Sequence, residues 1–242
     1  TAVDGALIGK LLHELLQRVW QQLRDSATLA RHDAATLQTL IAPLAAATLE
    51  DLGRRRPDLI TPRFSAIEGA RLTRLVTDWL SVERARTQAF EVLALEQDQP
   101  VELEGLRLTT RADRLDRLAD GSLAVIDYKT GNPPRQADVD SGEKVQLPSY
   151  ALLTETLPAR VEYLRLDREV SEGAVLQGEA LAALGDAVRR RLVGVLDEID
   201  HGTPLPAWGD SRTCEYCPMD GLCRRQSWIE SGEDEPDGAG ST

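Results

Sequence analysis

The sequence predicts an α/β protein in which a mixed central β-sheet is flanked by helices and preceded by a helical region. Through the first ninety residues, apolar side chains recur at spacings of three and four, the period of amphipathic helices. The pattern then changes to alternating or β-branched runs separated by glycine-containing turns, which is typical of strands. A helical, a strand and a second helical pattern follow, and this order favours a mixed sheet.

The helical region is predicted over residues 1–90. Leu7 to Leu23 carries a leucine-rich stripe that also contains Val19 and Trp20. The same pattern recurs over Ala34–Leu52 and Ile67–Phe90, and the "RRRPDLITPR" between them contains two prolines that interrupt a helix.

Three largely antiparallel strands are predicted next, in "FEVLALEQ", "LEGLRLTTRADRL" and "SLAVIDYK". Gly105 and the pair Asp120-Gly121 supply the turns between them. The remaining predicted elements are a helix at 142–155, a strand at 159–166, a weaker strand near Ala174 and a helix at 179–200.

Length and composition predict a soluble, cytoplasmic protein. The chain has 242 residues and is 42% hydrophobic, enough for one large domain with a sizeable core. The uncharged stretch Thr36–Leu49 is shorter than the roughly 18 residues that cross a bilayer, and no leader pattern opens the chain. No membrane partner is expected. Because the chain begins at Thr1 and its only methionine is Met219, we expect it to be part of a longer polypeptide.

The charge distribution predicts one domain and an acidic tail. The expected domain is 1–228, with a mainly helical part at 1–90, a core at 91–200 and a cysteine-containing segment at 201–228. The formal charge of −12 argues against a protein that coats nucleic acid, although not against an enzyme that acts on it. Five acidic and no basic residues lie in the last thirteen, so 229–242 is predicted to be disordered.

Acidic residues on neighbouring strands indicate a metal site. Side chains alternate along a strand, so Asp127 and Lys129 share a face, and the Asp120-Gly121 turn brings Asp113 towards Asp127. Two such carboxylates repel each other unless a cation lies between them, and Mg²⁺ or Mn²⁺ suits oxygen ligands. That chemistry is suited to phosphodiester hydrolysis. An ordinary exposed ion pair, worth about 0.2 to 1 kcal/mol, is the alternative. Asp116 is interpreted as a structural turn residue.

Four stretches together resemble a known family. "TRADRLDRLADGSLAVIDYKTG" is similar to the second and third motifs of the PD-(D/E)xK nuclease superfamily, specifically the RecB/AddB-type nuclease modules of bacterial DNA repair and recombination. "GALIGKLLHELLQRVW" resembles the opening helix of these modules, "VLALEQ" the first motif strand and "VQLPSYALL" the Q-x-x-x-Y helix. The resemblance implies a restriction-endonuclease-like core.

The resemblance also implies a metal-dependent deoxyribonuclease. It assigns His13, Asp113 and Asp127 as metal ligands, with the backbone carbonyl of Tyr128 completing the set. Lys129 would assist the attacking water, a task suited to a compact ammonium. As an alternative, His13 is a histidine at the edge of the leucine stripe.

Three further site residues follow from the same resemblance. Glu96 is assigned to the metal site or its surroundings, with a surface acid as the alternative. Gln146 and Tyr150, four residues apart on a helix, would position the lysine or the DNA strand. They fill a helix interface in the alternative interpretation.

The cysteines suggest a metal cluster. Cys214, Cys217 and Cys223 form C-x2-C-x5-C, and an odd number cannot pair fully in disulfides. The segment resembles the iron–sulfur end of these modules, which favours a [4Fe–4S] cluster over Zn²⁺. Either normally takes four ligands, so the fourth is expected outside this chain, and His201 is interpreted as a helix-end residue.

The predicted function is therefore a nuclease that acts on DNA, single-stranded or at ends, and is partnered by a helicase domain or subunit outside this chain. One alternative is a catalytically silent DNA-end-binding or scaffolding domain of a helicase-nuclease complex. A zinc-finger-like module is another, and it leaves the strand carboxylates unexplained.

Overall fold

A computed structural model describes residues 5–152, 156–167, 170–203, 214–215 and 217–223. The chain divides into two compact units, Thr1–Val193 and Gly194–Thr242. The predicted tail at 229–242 lies outside the described residues. None of the described helices is both long enough and apolar enough to cross a membrane.

Four helices come first and match the predicted helical region. Capping residues fix where they begin: Asp25 accepts a hydrogen bond from the Thr28 amide (2.6 Å), and Asp33 accepts one from the Thr36 amide (2.8 Å). These helices are α1 (Gly5–Leu23), α2 (Ser26–Ala30), α3 (Ala34–Arg55) and α4 (Pro62–Arg84).

A five-stranded sheet follows, with the strands in sequence order. Three strand pairs are antiparallel, and the β3–β4 pair is parallel, so the sheet is mixed as predicted. Gly105 and Gly121 adopt φ values of 84° and 85° in the two hairpin turns, a conformation that glycine tolerates. The strands are β1 (Phe90–Leu103), β2 (Leu106–Leu118), β3 (Leu123–Lys129), β4 (Arg160–Leu166) and β5 (Val170–Gln177).

The sheet separates two apolar cores. The larger core packs α1 to α4 against the sheet and includes Trp20, Trp79 and Phe90, whose rings meet edge to face at 5.5 to 5.6 Å. The smaller core includes Val125 of β3 and Leu181 from the first turn of α7 (Gly178–Asp200). The fold class predicted from the sequence is confirmed.

Two predicted boundaries are wrong. The helix predicted to reach Phe90 ends at Arg84, because Phe90 opens β1 and packs on Trp20. The helix predicted over 142–155 is broken, because Gly142 has φ 77° and ends the preceding turn. In its place are α5 (Gln136–Asp140), α6 (Gln146–Ser149) and a 3₁₀ turn (Tyr150–Leu152), with 153–155 outside the described residues. The sequence analysis also missed α5 and α2.

Candidate active site

The end of β3 places Asp127 and Lys129 on one face of the sheet and Tyr128 on the other. Tyr128 points into the larger core, where its ring meets Trp79 at 5.2 Å. Asp127 and Lys129 point the other way, and the Lys129 Nζ lies 2.5 Å from Asp127 Oδ2. On β2, Asp113 accepts a hydrogen bond from the Tyr128 amide (2.6 Å). The predicted approach of Asp113 to β3 is therefore confirmed.

Helix α1 brings His13 to the same strand end. A Cβ atom on Gly9 would lie 3.1 Å from Thr130 Oγ1, so glycine allows the helix to approach the loop after β3 closely. His13 Nε2 lies 3.0 Å from the Tyr128 carbonyl oxygen, and Nδ1 lies 2.9 Å from Glu96 Oε1 and 3.3 Å from Asp113 Oδ1. The imidazole therefore stands between two carboxylates and a carbonyl.

These neighbours change the protonation of His13. Burial disfavours the charged imidazolium, but the hydrogen bonds to Asp113 and Glu96, together with their charges, more than offset burial and raise the pKa of His13 from 6.5 to about 10. The proton on His13 places a positive charge between the two acids, in addition to the Arg111 guanidinium, whose Nε lies 3.1 Å from Glu96 Oε2.

Glu96 occupies a strained position in β1. Its φ of 48° lies in the left-handed region, which a residue with a side chain rarely adopts. The β1–β2 register places Glu96 opposite Asp113, between the pairs Leu95↔Arg114 and Gln97↔Ala112. Like charges directly opposite each other destabilise a sheet. Backbone strain of this kind clusters at functional sites, so this point of the sheet is a candidate site.

The donor set fits a divalent cation. Among the described residues, ligand atoms of His13, Glu96 and Asp113 all lie within 4.8 Å of one another. Carboxylate oxygens, an imidazole nitrogen and a backbone carbonyl suit Mg²⁺ or Mn²⁺. Asp127, predicted as a ligand, lies outside this group of three and is held by other side chains.

Those side chains form a hydrogen-bonded group around Asp127. Its Oδ1 accepts from Tyr150 Oη (2.8 Å) and from Gln146 Nε2 (2.7 Å), and Gln146 Oε1 accepts from Lys129 Nζ (3.0 Å). Burial and then the charge of Asp113 raise the pKa of Asp127, while Lys129 partly offsets the increase. The predicted grouping of Gln146 and Tyr150 beside the lysine is thus present.

Two residues of this region were missed by the sequence analysis. Tyr163 on β4 donates to Gln146 Oε1 (3.2 Å), and its ring lies 5.0 Å from Lys129 Nζ. Gly173 makes room for it, since a Cβ there would lie 2.7 Å from the Tyr163 Cβ. A tyrosine in an apolar strand is typical of a core residue, so the sequence carried no distinguishing signal.

The interpretation of Asp116 as a turn residue is wrong. Asp116 lies inside β2, where its carboxylate accepts two hydrogen bonds from Arg114 at 2.7 and 2.5 Å. Arg114 also donates to Glu83 Oε2 (2.7 Å) and stacks 4.0 Å from the centre of the Trp20 ring. Because side chains alternate along β2, this buried cluster and Asp113 lie on opposite sides of the strand.

The three cysteines lie in the second unit and are half-buried. The Cys217 amide donates to the Cys214 carbonyl (3.2 Å), and the Cys223 amide to the Met219 carbonyl (2.8 Å), at the end of α8 (Asp220–Cys223). Their role in a cluster stays a prediction.

Acids on two adjacent strands, with a lysine beside them at the end of a mixed sheet, define the core of a metal-using nuclease. The chain belongs to the PD-(D/E)XK nuclease superfamily, whose family model matches residues 1–224. The sequence resemblance is confirmed at this level, and the RecB/AddB type stays a prediction.

No curated protein matches the chain. One matching solved structure, described as "Crystal structure of SSO0001", is 14% identical, with 90% of this chain and 96% of that chain covered and a TM-score of 0.35.

Proposed function

We propose that this chain is a Mg²⁺- or Mn²⁺-dependent deoxyribonuclease of the RecB/AddB type, acting as an exonuclease on single-stranded DNA or DNA ends during repair or recombination. The observation that carries the proposal is the convergence of His13, Glu96 and Asp113 beside Lys129. Superfamily membership supports phosphodiester hydrolysis as the reaction.

In this proposal His13, Asp113 and the Tyr128 carbonyl hold the cation, with Glu96 or Asp127 as a further ligand. A divalent cation acts, when bound, as a Lewis acid on a phosphoryl oxygen. His13 would hold the cation as a neutral imidazole, because metal ligands bind in their deprotonated form.

Lys129 acts on the water or on the phosphate. Its ammonium is held by Gln146 Oε1 and Asp127, and both partners are fixed in turn by Tyr150 or Tyr163. A charge held this rigidly orients an attacking water or offsets charge that develops on the phosphate, without reorganisation during the reaction.

The proposal places the protein in the cytoplasm with a helicase domain or subunit as its partner. A chain with a formal charge of −12 has little general affinity for DNA, so delivery by a partner supplies what its own surface lacks. It also assigns a [4Fe–4S] cluster to Cys214, Cys217 and Cys223, with a fourth ligand outside this chain.

The test is hydrolysis of end-labelled single-stranded DNA with Mg²⁺ or Mn²⁺. We expect cleavage by the unmodified chain and by Glu102→Gln, which removes an exposed carboxylate far along β1, and none by Asp127→Ala. Closed circular single-stranded DNA should resist an exonuclease. Equal activity of Asp127→Ala and the unmodified chain, or no activity with either metal, would overturn the catalytic proposal. Binding of DNA ends without cleavage would support the silent scaffolding alternative.

A further inference from the structure

A cleft lined by His13, Glu96 and Lys129 opens beside the candidate site. Its volume is about 580 Å³, and it extends from His13 along α1 to Lys10 and along the loop after β3 to Thr130 and Asn132. The residues beyond His13 belong neither to the ligand group nor to the hydrogen-bonded group around Asp127. They include an ammonium, a hydroxyl and an amide, and the carboxylate of Glu14 in the same lining is paired with Arg55 at 3.0 Å.

Among the described cations that line this cleft, Lys10 is the one without a carboxylate partner. Lys129 is paired with Asp127, and Arg111 with Glu96 at 3.1 Å. No described carboxylate lies within the 4.0 Å ion-pair distance of Lys10. The Lys10 side chain is exposed and lies one helical turn before His13, so both face the cleft.

Lysine is scarce in this chain, which makes its placement informative. Lys10, Lys129 and Lys144 are the only lysines among 28 basic residues, and two of the three line this cleft. An ammonium contacts phosphate as a compact point charge, whereas the planar guanidinium suits bidentate pairs. In a strongly acidic chain, an unpaired ammonium beside the reacting group is a local attraction for a polyanion.

We propose that Lys10, with Thr130 and Asn132, forms a second phosphate-binding site that holds a neighbouring phosphate of the strand being cut. The proposal rests on the proposed nuclease function and deepens it: the substrate is a chain of at least two phosphates, and Lys10 is a positioning residue. Contacts to phosphate set register and carry no base specificity. The cleft therefore reads the backbone of a strand and not its sequence.

The first test is binding without catalysis. Affinity for a fluorescent 20-nucleotide single strand is measured by anisotropy in EDTA, over a range of salt concentrations. The variants are Lys10→Ala, Lys10→Arg and, as the matched control, Lys144→Ala, an exposed lysine outside the cleft.

Lys10→Ala should bind about tenfold more weakly at low salt, since hydrogen bonds to charged groups are lost. The slope of log K against log salt should fall by about 0.7, the value for one phosphate contact on a single strand. Lys10→Arg should keep the slope. Equal slopes for Lys10→Ala and Lys144→Ala would overturn the proposal.

The second test separates positioning from folding and chemistry. The nitrophenyl ester of thymidine 5′-monophosphate contains a single phosphodiester and gives Lys10 nothing to hold. Lys10→Ala should hydrolyse this ester at the unmodified rate but lose about tenfold in kcat/KM on the oligonucleotide, with rescue by Lys10→Arg. Equal losses on both substrates would refute a positioning role. If the unmodified chain cuts neither substrate, the nuclease proposal fails, and the anisotropy result alone decides on the phosphate site.

Discussion

Two charged clusters on opposite sides of β2 contain the same number of acids and bases but differ in which bases they use. The buried cluster balances three carboxylates with three guanidinium groups, and the candidate site balances three carboxylates with a guanidinium, an ammonium and an imidazole. The buried cluster contains Glu83, Asp116, Glu162, Arg86, Arg114 and Arg160, and the site contains Glu96, Asp113, Asp127, Arg111, Lys129 and His13.

The bases indicate which cluster stabilises the fold and which is a candidate metal site. A guanidinium keeps its proton and offers no lone pair, so Arg114, with 0% of its side chain exposed, completes the buried cluster permanently. His13 can exchange its proton for a metal ion, and its side chain is 28% exposed. A cluster of acids is therefore a candidate metal site when the base that offsets its negative charge can lose its proton. Burial of acids alone does not identify one.

The largest expected effect comes from removing the central base of the buried cluster. Arg114→Met leaves Asp116 buried without its partner and Glu83 with Arg86 alone, and an uncompensated buried charge costs roughly 3 to 5 kcal/mol of unfolding free energy. Urea denaturation measures it, with Arg117→Met, an exposed arginine on the same strand, as the control. If Arg114→Met loses less than 1 kcal/mol, the cluster does not stabilise the fold as described.

The corresponding change in the site should reduce activity more than stability. Lys129→Met removes a charge that acts on the reacting group, and we expect a loss of about 10²- to 10³-fold in kcat. Its unfolding free energy should change by less than that of Arg114→Met. Single-turnover cleavage and urea denaturation on the same preparations check both points. A destabilisation equal to that of Arg114→Met would place Lys129 in a structural role instead.

Lowering the pH should remove the stabilisation that Glu83 gives to the fold. Burial alone would raise the pKa of Glu83, but the charges of Arg114 and Arg86 hold it below its ordinary value. Its stabilisation is therefore complete above the unfolded-state pKa, about 4.3, and is lost as the pH falls through the lower folded-state pKa. Glu83→Gln should cost roughly 3 kcal/mol at pH 7, the cost of breaking a buried pair, and progressively less below about pH 4. Urea titrations from pH 7 to pH 3 measure the difference, and a deficit that does not vary with pH contradicts the assignment.

Metal binding should change stability the least, and the cation should bind at the candidate site and nowhere else in the chain. A cation at 100 times its Kd stabilises a folded protein by about 2.7 kcal/mol. MgCl2 or MnCl2 should raise the Tm of the unmodified chain and of Glu102→Gln but not that of Asp113→Asn. The Tm increase is removed by EDTA. An equal increase in Asp113→Asn would locate the cation elsewhere in the chain.

Much of the fold was predictable because its signals are local. The leucine spacing gave α1, the glycine turns gave the hairpins, and alternation along β3 gave the shared face of Asp127 and Lys129. The boundaries near Phe90 and Gly142 were wrong because a packed aromatic ring and a left-handed glycine outweighed the helical periodicity. The specific roles of the site residues stay predictions.

The sequence by itself determined which residues alternate, where the chain turns and which motifs follow one another, because each of these depends on neighbours along the chain. Only the tertiary structure decided which carboxylates share which cations. It set Asp116 against Arg114 in the core and His13 between Glu96 and Asp113, because charge balance depends on distances between elements far apart in sequence.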